Sequence, residues 1–105
     1  MIAPSAVVVG LPAPHLVLCH EVLGAAKLQV HAFDDAGLAC GNIAALLPRL
    51  VVVPATLPQD FLELVDDAAV AVGAPLLLLY GDETYDDLEA RLKGAVREVE
   101  ERFAR

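Results

Sequence analysis

Four acidic side chains, Asp82, Glu83, Asp86 and Asp87, crowd into one short stretch of the chain. Oxygen ligands at that density suit a divalent cation or a basic partner. The same spacing has a plainer use, because carboxylates just before and within the first turn of a helix offset its dipole. His15 and Cys19 stand four residues apart, which places both on one face of a helix, and both residue types ligate zinc. Two ligands do not complete a zinc site, and neither His31 nor Cys40 has a spacing that adds to it. The expected role of Cys19 is therefore that of a small buried hydrophobe, and His20 and Glu21 are expected at the surface. The turn Gly10-Leu11-Pro12-Ala13-Pro14 lacks the GxGxxG pattern. Its two prolines have no backbone N–H to offer a phosphate. No Ser/His/Asp or Cys/His arrangement follows from residue order. These residues predict no catalytic role, no metal and no cofactor.

The elements that would carry them alternate. Apolar runs at 6–9 (AVVV), 28–33 (LQVHAF), 50–53 (LVVV) and 75–80 (PLLLLY) read as strands, three of them apolar enough to be covered on both faces. Helical spacing links them. In 13–27, Leu16, Cys19, Leu23 and Ala26, with Val22, point inward, and Pro12 and Pro14 suit an opening turn. In 36–47 the candidate core contacts are Leu38, Ile43, Leu46 and Leu47. In 59–72 they are Phe61, Leu62, Val65, Ala69 and Val72, with Gly73 as the C-cap. The last segment, 84–104, opens with Thr84 and Asp87 as a variant capping box. The order βαβαβαβα implies a parallel sheet with right-handed crossovers.

The chain has 105 residues, 57% of them hydrophobic, and a formal net charge of −8. That length suits one domain spanning 1–105, with a core that needs no disulfide. Two cysteines without a CxxC pairing fit a reduced compartment. Residues 1–82 carry two basic side chains, Lys27 and Arg49, against eight acidic ones. Such a field repels nucleic acid and anionic membrane surfaces. The longest apolar run, 68–80, is broken by Gly73 and Pro75 and falls short of the ~20 residues of a spanning helix. Residues 1–5 lack the basic start of a signal peptide. The expected location is the cytoplasm.

Four stretches resemble the receiver domain of bacterial two-component response regulators. Residues 6–33 match its opening strand, helix and second strand, followed by Asp34, Asp35 and Ala36. Residues 50–65, LVVVPATLPQDFLELV, resemble its third strand and phosphorylation loop, with Pro58 as the later proline. Residues 75–82, PLLLLYGD, resemble the fourth strand and its exit, and Gly94–Ala95 resembles the pair that precedes the fifth. The resemblance implies a flavodoxin-like three-layer α/β sandwich, here truncated to four parallel strands in the order 2-1-3-4. It also implies a phosphorylation site, and the matching positions do not supply one. The paired acids that hold Mg²⁺ in the family match Gly10 and Leu11. The phosphoacceptor matches Pro54, and the switching Ser/Thr matches Tyr80 or Gly81. The fifth strand and its lysine have no counterpart. Acyl-phosphate chemistry needs a carboxylate nucleophile and a bound cation, so the resemblance is to a pseudo-receiver.

Without a fifth strand, 75–80 becomes an apolar, uncharged sheet edge that some other element should cover. The last helix, a second copy of the chain, or a partner protein would each serve. Along that helix Tyr85, Leu88, Leu92, Ala95, Val99 and Phe103 step by three and four. At ~1.5 Å per residue the helix is longer than a four-stranded sheet is wide, about 20 Å. Its end near Val99 and Phe103 is expected either to pack or to overhang in a coiled-coil contact. The expected function is thus a phosphorylation-independent interaction or signalling adaptor module, a homodimer or docked on a protein partner. Its contacts would be drawn from Leu77, Leu79, Tyr85, Leu88, Leu92, Val99 and Phe103. The alternative is a small-molecule sensor binding at the C-terminal sheet edge, near Gly10, Pro54, Thr56 and Tyr80. A chain continuing past Arg105 into a coiled coil is a third expectation.

Overall fold

The computed structural model describes residues 4–103. It contains β1 (Ser5–Val9), α1 (Ala13–Ala25), β2 (Gln29–Phe33), α2 (Ala36–Leu46), β3 (Leu50–Pro54), α3 (Gln59–Ala71), β4 (Leu76–Leu79) and α4 (Tyr85–Phe103). The strands form one sheet in the order β2-β1-β3-β4, with every pairing parallel. The parallel α/β sheet read from the alternating pattern is observed, and so are the order 2-1-3-4 and the truncated flavodoxin-like sandwich that the receiver resemblance implies. The expected 84–104 helix is described as far as Phe103, and residues 104 and 105 lie outside the described residues.

Crossover handedness sets the layers. The first crossover steps outward from β1 to β2, and the next two step the opposite way, to β3 and then β4. Right-handed connections running in opposite directions place their helices on opposite faces. Cys19, Leu18 and Leu23 of α1 accordingly join Ala6, Val8, Leu50 and Val52 in one core. Ala39 and Ile43 of α2 join Val65 and Ala69 of α3 with Val7, Val9, Val51 and Val53 in the other. All five residues of β1 and all five of β3 are buried. This explains the unbroken apolar runs 6–9 and 50–54, since neither face meets water; the one polar residue, Ser5, directs its hydroxyl to the Leu46 carbonyl at 3.4 Å.

Helix α4 returns on the α1 side. Leu88, Leu92, Val96 and Val99 are buried there with Leu18 and Leu79. The helix does not overhang at Val99. That side chain is 3% exposed and shares a groove with Ala26 and Leu28, in the connection after α1. The helix runs back along α1 instead of across the strands, so sheet width never limited it. Val96 was missing from the predicted stripe and Ala95 sits only half-buried beside it.

Three predicted core contacts point outward. Leu38 is 61% exposed, Phe61 41% and Leu47 65%. Ala39 and Ile43 set the inward face of α2, and Leu38 falls to one side of it. Leu47 lies past the end of α2 with φ 49°, a left-handed conformation that turns its side chain away from the helix stripe. On α1, Leu18 is buried although the predicted stripe omitted it. The predicted caps are present. The Asp87 amide donates to Thr84 Oγ1 at 3.1 Å, and Gly73, at φ 74°, donates its amide to the Val70 carbonyl at 3.0 Å.

Candidate functional site

In open parallel sheets the ligand crevice opens where the strand order reverses. Here that point lies between the C-terminal ends of β1 and β3, at Gly10 and Pro54. The Gly10 amide donates to the Phe33 carbonyl at 2.7 Å, and a φ of 59° suits it to glycine. A methyl group at Gly10 would lie 3.8 Å from the Asp34 carbonyl oxygen and 4.0 Å from both the Pro54 ring and a Leu57 methyl. Around Gly10 the side-chain atoms within that distance are thus apolar, and the one oxygen is a backbone carbonyl. Pro54 is buried and offers no side-chain oxygen. Asp34 is exposed, and Asp35 caps α2 through a 2.7 Å bond from the Gly37 amide. Thr56 is exposed at the rim, and Tyr80, 58% exposed, stands at the end of β4. These four residues share the C-terminal edge, but the chain's better-defined grooves lie elsewhere.

The acidic run after β4 divides into two roles. Asp86 and Asp87 occupy the first turn of α4, as dipole compensation predicts. Glu83 does something the sequence did not announce. Its carboxylate accepts the Tyr80 amide at 2.8 Å and the Gly81 amide at 2.8 Å. Arg91 Nη1 donates to it at 2.6 Å. Gly81, at φ 90°, turns the two amides toward one point. The Glu83 side chain is only 7% exposed. Burial works against its charge, but the Tyr80 and Gly81 amides, its own amide and Arg91 together hold the carboxyl below its ordinary value. The Arg91 guanidinium also lies 5.4 Å from the centroid of the Tyr80 ring, a cation–π contact. The only sequence signal for this clasp was the pairing of Glu83 with an arginine two helical turns into α4.

Cys19 is fully buried, and burial pushes its thiol up to about 12. It is a packing residue, not a thiolate ligand. Cys40 is half-buried on α2, with its thiol also raised by burial. Among the described residues no three His, Cys, Asp or Glu side chains come together as a metal set would. No described helix is long and apolar enough to cross a membrane.

Of the side chains expected at an interaction surface, Leu79, Leu88, Leu92 and Val99 fill the domain's own core. Leu77 is half-buried on β4, and Tyr85 is 62% exposed at the start of α4. The side chain of Phe103 lies outside the described residues. The outward subset is therefore Tyr85, with Leu77 in part.

The backbone of β4 adds to this. The Val51 amide bonds the Pro75 carbonyl at 3.0 Å and the Ala55 amide bonds the Leu79 carbonyl at 2.7 Å. In a parallel ladder alternate residues face one neighbour, so Pro75, Leu77 and Leu79 face β3. The amides and carbonyls of Leu76 and Leu78 face outward, where no described residue bonds to them. The next outward amide, Tyr80, is taken by Glu83. On the other side of the opening, the Ala74 amide bonds the Ala69 carbonyl at 2.9 Å. The open β4 edge is thus a window two residues wide; β2 forms the opposite edge of the sheet.

A trough flanks the window on each face of the sheet. One is lined by Leu76, Leu78, Leu62, Gln59, Glu63 and Asp66. The other is lined by Leu77, Pro75, Arg91, Ala95 and Glu98, with Leu50 at its floor. A scan against protein-family models finds no match for the chain, and a search of curated proteins finds no relative.

Proposed function

We propose that this chain is a phosphorylation-independent protein–protein interaction module, a pseudo-receiver acting as a signalling adaptor in the bacterial cytoplasm. The observation that carries the reading is Pro54. The residue at the end of β3, where the receiver pattern places its phosphoacceptor, is a buried proline with no nucleophilic atom. The apolar packing of Pro54 and Leu57 near Gly10 supports it, because a phosphoryl group and its cation require a polar, charged pocket. What remains for function is surface, and the sheet has two open edges, β2 and β4, whose outward backbone groups have unmet bonding capacity; the β4 edge is the more apolar in sequence, LLLL against QVHAF.

Two measurements test this reading. Acetyl phosphate or beryllofluoride with Mg²⁺ is expected to leave both mass and melting temperature unchanged. A stable adduct on Asp34 or Asp35 would overturn the phosphorylation-independent part. Light scattering after size exclusion, across a concentration series, then separates a self-associating module from one that awaits a different protein.

A further inference from the structure

We propose, resting on the interaction-module reading, that the β4 edge receives an extended segment of a partner protein. That segment pairs its backbone with Leu76 and Leu78 and carries basic side chains at alternate positions, which reach Glu63 and Asp66.

The backbone supplies the first half of the argument. Leu76 and Leu78 present two outward amides and two outward carbonyls, the pattern an added strand satisfies. The window is bounded by Ala74, whose amide is bonded to Ala69, and by Tyr80, whose amide is bonded to Glu83. An added strand is therefore held in one register, opposite these two residues. The Glu83 clasp marks one limit of the site.

The two troughs supply the second half. Side chains of a strand alternate between faces, so an added strand drops alternate residues into the α3 trough and the α4 trough. The α3 trough has an apolar floor of Leu62, Leu76 and Leu78 and a rim carrying Glu63 and Asp66 with no cation. A lysine or arginine fits it, its stem along the leucines and its charge at the rim. The α4 trough carries one arginine and one glutamate around Leu77 and Ala95. Arg91 is already engaged by Glu83, and the rest of the lining, Pro75, Leu76, Leu77 and Ala95 with Glu98 at one side, is mainly apolar and suits an apolar residue. The preferred segment thus alternates basic and apolar.

A second copy of the chain fits the edge less well. Pairing β4 with itself about a two-fold axis normal to the sheet brings α3 beside α3. Glu63 and Asp66 would then face the same carboxylates across the seam, in a chain whose net charge is already −8. Like charges set opposite one another select against that pairing.

The test uses an end-blocked heptapeptide of alternating lysine and valine, and its counterpart with glutamate in place of lysine. Binding is read by fluorescence anisotropy at low salt, and location by hydrogen exchange of backbone amides. The lysine peptide is expected to bind and to slow exchange at the Leu76 and Leu78 amides, and the glutamate peptide is expected not to bind. The double variant Glu63→Lys/Asp66→Lys, on an exposed helix face, is expected to weaken the lysine peptide by about tenfold. Leu78→Pro removes one outward amide while leaving the bonds to β3, and is expected to weaken it independently. No binding of the lysine peptide overturns the proposal, as does binding that the charge reversal leaves unchanged or protection that falls away from β4. A dimer in solution that Leu78→Pro dissolves would overturn the basic-strand inference and leave the interaction-module reading standing. A phospho-adduct would instead overturn that reading's phosphorylation-independent part, whatever the peptide does.

Discussion

Arg91 reaches back to Glu83 with 2.6 Å between Nη1 and Oε2, joining the second turn of α4 to the loop that leaves β4. Glu83 in turn holds the amides of Tyr80 and Gly81. One ion pair thus sets how the strand ends, where the helix begins and where the open sheet edge stops. Arg91 itself is about one-third exposed, so the energy of the clasp rests more on the enclosed carboxylate and its amides than on the charge pair.

Replacing that carboxylate should therefore be felt. Glu83→Gln loses the charge-assisted bonds from two amides and is expected to cost about 1–2 kcal/mol, read by urea denaturation at neutral pH. The folded carboxyl titrates below its ordinary value of 4.5. Its contribution is complete above that value and is lost as pH falls through the lower folded value. The gap between parent and Glu83→Gln should accordingly close on acidification from pH 5 downward. A gap that stays constant with pH would mean that the charge of Glu83 is not what stabilises the clasp.

Leu92 is fully buried between α4 and α1. Leu92→Ala is expected to cost about 2–5 kcal/mol through the cavity it leaves. Leu92→Asp is expected to prevent folding, as judged by circular dichroism, because an unpaired carboxylate would sit in the core. A folded Leu92→Asp protein that had merely lost self-association would move this side chain from core to interface.

The two cysteines should separate chemically. With its thiol at about 12 and no solvent access, Cys19 is expected to resist alkylation in the native protein at pH 8. Cys40, half-buried, is expected to react first. Both thiols are expected to react in denaturant. Since the Cys19 value is raised from 9.0 on folding, its contribution to stability is present below pH 9 and declines as pH rises toward 12. Mass spectrometry after timed iodoacetamide treatment checks the order of reaction.

Leu47 holds φ 49° with its side chain 65% exposed. A leucine in the left-handed region is strained, and its exposure means little packing is lost by removing it. Leu47→Gly is expected to stabilise the protein by about 0.5–1 kcal/mol, seen as a higher melting temperature. A lower melting temperature would show that the exposed leucine makes contacts that outweigh the strain.

The alternation of strand and helix and the parallel sheet were legible in the residues, and the strand order followed from the resemblance to receiver domains. Unbroken apolar runs at 6–9 and 50–53 are what strands covered on both faces require, and short connections admit few ways to join them. The caps at Thr84 and Gly73 were legible because capping is local: the partner atoms lie within a few residues. The absence of a nucleophile at Pro54 was legible because it is a matter of atom type. Tertiary structure decided which side of each helix meets the sheet. Leu38 differs from Ile43 only in angle around α2, and on a helix with no charged side chain polarity could not mark the inward face; Leu47 sits four residues after Ile43 and turns out only because the helix stops before it in a left-handed cap. It also decided the use of Glu83, whose acidic neighbours are identical in charge and differ only in reaching the turned amides at Gly81. The edge at Leu76 and Leu78 likewise appeared only when β3 claimed the alternate residues, because hydrogen-bond direction along a strand is set by its neighbour and leaves no trace in composition.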